Sequence, residues 1–209
     1  MELNRALGIA SALTAFLMWG FFPLYWAPLK HVPSLEIIWH RIFWAAVIAW
    51  VLIAWKRRKG SSSMRLAAIP RRVLYVAFFS GVLVSANWLT YIFAVTHGYV
   101  VDASLGYYIN PLVSILLGTV LLKERLTRLQ WIAVASATIG VSLLTYQVGY
   151  LPWISLVLAG SFGLYGLIKK RIPLSSVESL AVELLPLSVV ALGFIVVQMV
   201  QGTGHLIGD

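Results

Sequence analysis

No cysteine occurs in the 209 residues, which excludes a disulfide framework, thiolate catalysis and any cysteine-based metal site. Acidic residues are nearly as scarce, seven against sixteen Lys and Arg, and charged residues of both signs make up 11% of the chain. An ordinary soluble domain carries about a quarter, so this chain cannot clothe a water-facing surface. There is no Gly-x4-Gly-Lys-Ser/Thr loop to cradle a nucleotide phosphate, which sets ATP aside as a direct energy source. Gly-x-Ser-x-Gly is missing too, and with it the turn that presents a hydrolase serine.

What is present is apolar. The chain is 60% hydrophobic, with a mean hydropathy of +0.88. Runs of about 20 residues, enough to cross a hydrocarbon core of roughly 30 Å, lie at about 6–28, 34–55, 73–96, 101–122, 128–147, 151–169 and 177–200. Backbone groups in lipid must bond to each other, and runs this continuous predict helices rather than a barrel. The first run follows Arg5 as a signal peptide would, but it passes through Trp19, Phe21 and Phe22 with no small-residue cleavage site. A retained helix is therefore predicted. Thr127-x-x-Gln130 and Ser175-x-x-Glu178 have capping-box spacing, and Asp102 stands where an N-cap is expected. Ser114 with Gly118, Ala133 with Ala137 and Ser136 with Gly140 predict close helix approaches. Trp26, Trp39, Trp131 and Trp153 fall near predicted ends, where aromatic belts form.

The cations are not scattered. All of the sixteen except Lys30 and Arg41 fall at the N-terminus (Arg5) or in the gaps 56–72, 123–128 and 169–171, which are alternate gaps between apolar runs. Cytoplasmic loops carry the excess of Lys and Arg, so the N-terminus is predicted inside and Asp209 outside. A net charge of +9 would otherwise raise nucleic acid as a partner. Cations confined to orienting loops, without interleaved stacking aromatics, read instead as anchors to anionic headgroups. No nucleic-acid partner is expected.

A short repeat adds a second constraint. Ser34-Leu35-Glu36 followed by Arg41 matches Ser176-Val177-Glu178 followed by Glu183 at an offset of 142 residues. Trp19-Gly20 and Tyr165-Gly166 precede the two copies at comparable points. An odd number of helices separates them, so they enter the membrane from opposite sides, as inverted-repeat transporters are built. The expected fold is all-α: a polytopic membrane helix bundle with seven transmembrane helices out of a ten-helix, five-plus-five inverted repeat. Residues 1–148 would form the first repeat and 149–209 the start of the second, about 80 residues short of a full copy.

Few ionisable groups fall within the runs: Glu36, His40, Arg41 and Glu183. A charge at mid-bilayer costs about 2.5–3.5 kcal/mol on insertion scales, so these groups should face a protein interior or a wet cavity. Arg41 and Glu183, at matching places in the two repeats, are expected to partner each other near the midplane. Glu36 and His40 share a helix face, where a hydrogen bond or proton-linked pair is available. Asn87 and Tyr91 share a face in the third run, with Trp88 beside them. Tyr107, Asn110, Ser114 and Gly118 form a stripe in the fourth, where Pro111 frees the Tyr107 carbonyl. Pro23, Pro28 and Pro186 offer similar breaks in other helices. His31, His97 and His205 show no metal-site spacing.

These residues carry a resemblance. Met18-Trp19-Gly20-Phe21-Phe22-Pro23-Leu24-Tyr25-Trp26, Glu36-x3-His40-Arg41 and Asn87-Trp88-x2-Tyr91-Ile92-x-Ala94-Val95 resemble the RarD family of EamA-like transporters. So do Ala103-Ser104-Leu105-Gly106-Tyr107-Tyr108-Ile109-Asn110-Pro111-Leu112 and Glu124-Arg125-Leu126. The likeness covers about residues 6–200. It implies a multi-pass bacterial inner-membrane permease, a branch of the drug/metabolite transporter superfamily, that exports small amphipathic metabolites or drugs by alternating access. Trp19, His40, Arg41, Asn87, Tyr91, Tyr107, Asn110 and Glu183 are then the candidate solute-binding residues. Expected partners are a small-molecule solute and the lipid bilayer, with a homodimer left open. No catalytic residue, metal or cofactor is expected. A seven-helix receptor would need an external N-terminus, and a retinal protein a lysine in 177–200, where there is none. A non-transporting structural or assembly protein, or an inactive fragment of a permease, is the alternative.

Overall fold

The computed structural model describes residues 2–60, 68–123, 125–150 and 152–205. Arg65, Glu124 and Asp209, used above for charge alternation, a loop motif and sidedness, lie outside them. The described residues form α1 (Glu2–Trp26), α2 (Ser34–Arg58), α3 (Arg71–Thr96), α4 (Val100–Leu121), α5 (Arg128–Val148), α6 (Trp153–Lys169) and α7 (Ser176–Gln201). All of these except α6 are long and apolar enough to span a membrane. At 17 residues α6 extends only about 25 Å. Pro152 stands at its N-cap and the cluster Lys169-Lys170-Arg171 closes its other end.

Local signals explain most helix ends. Thr127 and Gln130 complete a capping box: Thr127 N donates to Gln130 Oε1 at 2.8 Å, and Gln130 N donates back to Thr127 Oγ1. At α7, Ser175 N donates to Glu178 Oε2 at 3.2 Å. Gly149 and Gly202 end α5 and α7 in the left-handed conformation that glycine adopts without a steric penalty. Two readings need correction. Pro28 lies in a 3-10 turn, Ala27–His31, that follows the end of α1 at Trp26, and the turn departs from helical geometry at Leu29. Asp102 is not an N-cap; it is the third residue of α4 and its Oδ2 accepts from Tyr150 OH at 2.7 Å. That bond ties the start of α4 to the α5–α6 loop, and the reinforcing Ser155 Oγ donates to Asp102 O at 2.6 Å.

The bundle is organised around α2 against α7, and α6 against α3 and α4. His205, just past α7, lies 3.1 Å from Glu36 Oε2 near the start of α2, so those two helices run antiparallel. Ile37, Ile38 and Ile42 of α2, Val84 and Ile92 of α3, Ile154 of α6 and Leu184 of α7 form one buried cluster. In water each such side chain would contribute about 1.5–3 kcal/mol on burial. Lipid is as apolar as leucine, so that term largely vanishes in a bilayer, and close backbone packing and hydrogen bonds must hold the helices.

Three glycines provide the close packing. A Cβ on Gly81 of α3 would overlap the carbonyl oxygen of Glu183 and lie 2.9 Å from its carbon. On Gly106 of α4 it would meet Leu158 Cβ at 3.1 Å, and on Gly163 of α6 it would meet Val113 Cγ1 at 3.0 Å. The predicted small pairs of α5 do not behave this way: Ala133, Ser136, Ala137 and Gly140 are exposed, and a Cβ on Gly140 meets nothing within 4 Å. α5 and α1 are peripheral. Leu13, Leu17 and Phe21 of α1 and Ile132, Ile139 and Leu143 of α5 present apolar surface that suits lipid and not water.

Candidate functional site

A cleft lies between α1, α2, α3, α4 and α6. Trp19, Phe22, Arg41, Asn87, Trp88, Tyr91, Tyr107, Asn110, Leu158 and Phe162 are among its lining. It continues into a wider opening bordered by Pro23, Val95, Val100, Ser104, Tyr108 and Pro111. Val95 and Val100 flank the α3–α4 turn, so the opening leads to that end of the bundle.

Helical spacing positions the aromatic wall. Tyr107 stacks on Trp19 at 6.5 Å between centroids and receives the edge of Tyr91 at 6.0 Å. Tyr91 is buried, while Tyr107 and Trp19 are partly open to the cleft. Pro111 sits inside α4 one turn after Tyr107 and has no N–H to return to the Tyr107 carbonyl. Asn110 Oδ1 is in turn approached by Ser114 Oγ at 3.4 Å. Asn87 does structural and lining duty together. Its Nδ2 donates to Leu158 O and Ser161 Oγ, both at 2.9 Å, joining α3 to α6. Both amide protons are thereby used, and only the amide oxygen is left for a ligand.

Arg41 is held by aromatic faces. Its guanidinium carbon lies 4.2 Å from the Trp88 ring centroid and 5.5 Å from that of Trp26. Nη1 is buried with no hydrogen-bond partner among the described residues. Each cation–π contact contributes about 0.5–2 kcal/mol depending on desolvation, which orients the group without supplying its hydrogen bonds.

The expected Arg41–Glu183 pair does not form. Arg41 is seven residues from the start of α2 and Glu183 seven from the start of α7, and these helices run antiparallel. At 1.5 Å per residue, helices of 25 and 26 residues leave about 17 Å of height between the two groups. Glu183 takes another partner: it is fully buried, with Lys169 Nζ 3.1 Å from its Oε1. Tyr165 OH donates to Oε2 at 3.2 Å, and Ser179 Oγ donates to Oε1. Lys169 also donates to Tyr165 OH at 2.6 Å. Glu183 does not line the cleft, and neither does His40, whose Nε2 is buried without a hydrogen-bond partner among the described residues. Trp19, Arg41, Asn87, Tyr91, Tyr107 and Asn110 do come together there.

Sequence reading missed Phe22, Phe162 and the Lys169–Tyr165 support of Glu183. Phe22 and Phe162 sit within uniformly apolar runs and carry no distinguishing signal. Tyr165 and Lys169 are four apart on one helix face, a spacing visible in the sequence.

The profile of the EamA-like transporter family matches residues 6–146. An uncharacterized transporter of Pseudomonas aeruginosa is 47% identical over 91% of this chain and 64% of its own length. A protein RarD of Streptomyces exfoliatus is 43% identical over 96% of this chain and 63% of its own. That of Escherichia coli is 38% identical over 95% and 67% respectively. The chain thus spans just under two thirds of the length of the first two. No solved structure matches. An apolar helical chain with this profile and these relatives belongs to the EamA-like transporter family, within its RarD members.

Proposed function

We propose that the chain forms the solute-binding part of a secondary transporter that exports small amphipathic metabolites or drugs across the bacterial inner membrane by alternating access. The observation that carries this is the cleft itself, a polar and aromatic cavity built by five helices at bilayer depth. Trp19, Tyr91 and Tyr107 would stack on the solute, while Asn110 would donate or accept a hydrogen bond and the Asn87 oxygen would accept one. Proline positions in α1, α4 and α7 interrupt the backbone ladder and would absorb the bending between states.

In this reading the basic gaps face the cytoplasm, residues 1–148 are one repeat and 149–209 open an inverted second one. What supports it is that α2 and α7, which carry the two copies of the Ser-x-Glu pattern, pack against each other antiparallel, as a twofold between repeats would require. α6, the counterpart of α1, packs onto α3 and α4 of the first repeat. By the same symmetry α1 would pack onto the corresponding helices of the second, and the greater length of the relatives leaves room for them. Counterflow in proteoliposomes across a panel of amphipathic solutes tests the proposal. At least one solute should exchange saturably, and Tyr107→Ala and Asn110→Leu should each reduce that flux several-fold in folded protein. Flux indifferent to both substitutions, or none with any solute, refutes it.

A further inference from the structure

The cleft contains an unspent charge. Arg41 touches Trp88 and Trp26 but makes no ion pair with the described residues, and its Nη1 is buried with no hydrogen-bond partner among them. No Asp or Glu is among the described residues that line the cleft or its wider opening. Acidic groups elsewhere in the bundle have partners of their own: Glu183 has Lys169, Asp102 has Tyr150 and Glu36 has His205. A guanidinium stays protonated, carries five donors in a rigid plane and is poorly satisfied by ring faces, which accept no conventional hydrogen bond. In a low-dielectric cavity the group that completes it is a planar anion able to take two parallel N–H bonds.

From this geometry we infer that the solute is a monoanionic carboxylate with an aromatic or compact apolar body, its carboxylate seated on Arg41. The inference rests on the cleft being the solute site. The charge count sets the valence, since Arg41 is the one Lys or Arg among the described lining residues. The wall sets the body: Trp19, Phe22, Tyr91, Tyr107 and Phe162 offer flat apolar surface around it. A cationic amine has nothing to recognise it here, because no described carboxylate lines the cavity and the guanidinium repels it.

Three probes that share one body and differ in head charge give the test: phenylacetate, phenylacetamide and phenethylamine. Equilibrium binding of each is measured on the purified full-length transporter in nanodiscs. Phenylacetate should bind about tenfold or more tightly than phenylacetamide, the worth of one charge-assisted hydrogen bond, and phenethylamine most weakly. Arg41→Gln should collapse the preference for acid over amide. Arg41→Lys, which keeps the charge and loses the planar fork, should retain part of it and serves if Arg41→Gln does not fold. Equal binding of acid and amide by the native protein, an acid preference that survives Arg41→Gln, or no binding of the acid, overturns the inference. Tyr107→Ala separates the two levels. If it weakens every probe while head charge is immaterial, the cleft is the site and anion capture is wrong. If it leaves every probe unaffected, the cleft is not the site and both readings fall.

Discussion

Replacing Lys169 by Met cuts the ammonium from a carboxylate that has no access to solvent. Glu183 is 0% exposed while the Lys169 side chain is 26% exposed, so the two partners are unequally dependent on each other. Without Lys169, Glu183 keeps only Ser179 and Tyr165 as neutral donors. Breaking a buried pair from one side costs about 3–5 kcal/mol, and the partial exposure of Lys169 places this case near 3. For a chain of this size that corresponds to a fall in Tm of roughly 6–12 °C. Glu183→Gln should cost less, about 1–2 kcal/mol, because the amide oxygen can still accept from one of the two hydroxyls, its NH2 can donate to the other, and the freed ammonium can turn toward solvent. The double variant Lys169→Met/Glu183→Gln should be more stable than Lys169→Met alone, with a coupling of about 1–3 kcal/mol. Thermal unfolding in lipid nanodiscs, followed by the intrinsic fluorescence of the nine tryptophans at one fixed scan rate, reads all three. If Lys169→Met is no more harmful than Glu183→Gln, or the double variant is simply additive, the carboxylate is not held as described.

The remaining predictions use the same structure. Gly81→Ala should destabilise by about 1–3 kcal/mol, since its Cβ meets the rigid Glu183 backbone. Gly163→Ala should cost less, because the nearest atoms are the ends of the Val113 and Leu117 side chains. The same unfolding assay compares them, and equal effects would contradict the close α3–α7 approach. The cysteine-free chain is a ready background for sidedness. Lys30→Cys should react with an impermeant maleimide added to intact cells and Lys59→Cys should react only after lysis; the reverse pattern would invert the proposed topology, and labelling of both from outside would abolish it. Asp102→Ala and Tyr150→Phe should each lower Tm, and the double variant by less than the sum of the two, because both remove the same 2.7 Å bond.

The helices and their ends were largely legible, because apolar length, capping boxes and C-terminal glycines are local properties of the chain. Six residues that line the cleft stood out as well: a polar or bulky aromatic residue inside an apolar run is conspicuous when lipid offers it no partner. Contacts between distant helices were not. The expected Arg41–Glu183 pair came from matching repeat positions, but a twofold between antiparallel helices places equivalent residues at opposite heights unless they lie near the middle. Phe22 and Phe162 were invisible for the reverse reason, since nothing in an apolar run distinguishes a cavity wall from a lipid-facing ring.

The two charges set seven residues into α2 and α7 therefore have opposite fates. Glu183 is compensated by an ammonium, a phenol and a hydroxyl within one packed interface, and little of its charge is left to act on a solute. Arg41 has its ring faces and lacks the acceptors its donors require among the described residues. A fold that satisfies one buried ion so thoroughly could have satisfied the other, and leaving it unmet lowers the stability of the empty protein. The empty protein should therefore tolerate Arg41→Gln in thermal unfolding better than it tolerates Lys169→Met, losing about 2 kcal/mol of cation–π contact, most of it from Trp88 at 4.2 Å because Trp26 at 5.5 Å lies near the edge of the range. A loss of Tm as large as that of Lys169→Met would mean that Arg41 is a structural lock between α1, α2 and α3 and not a group kept open for a ligand.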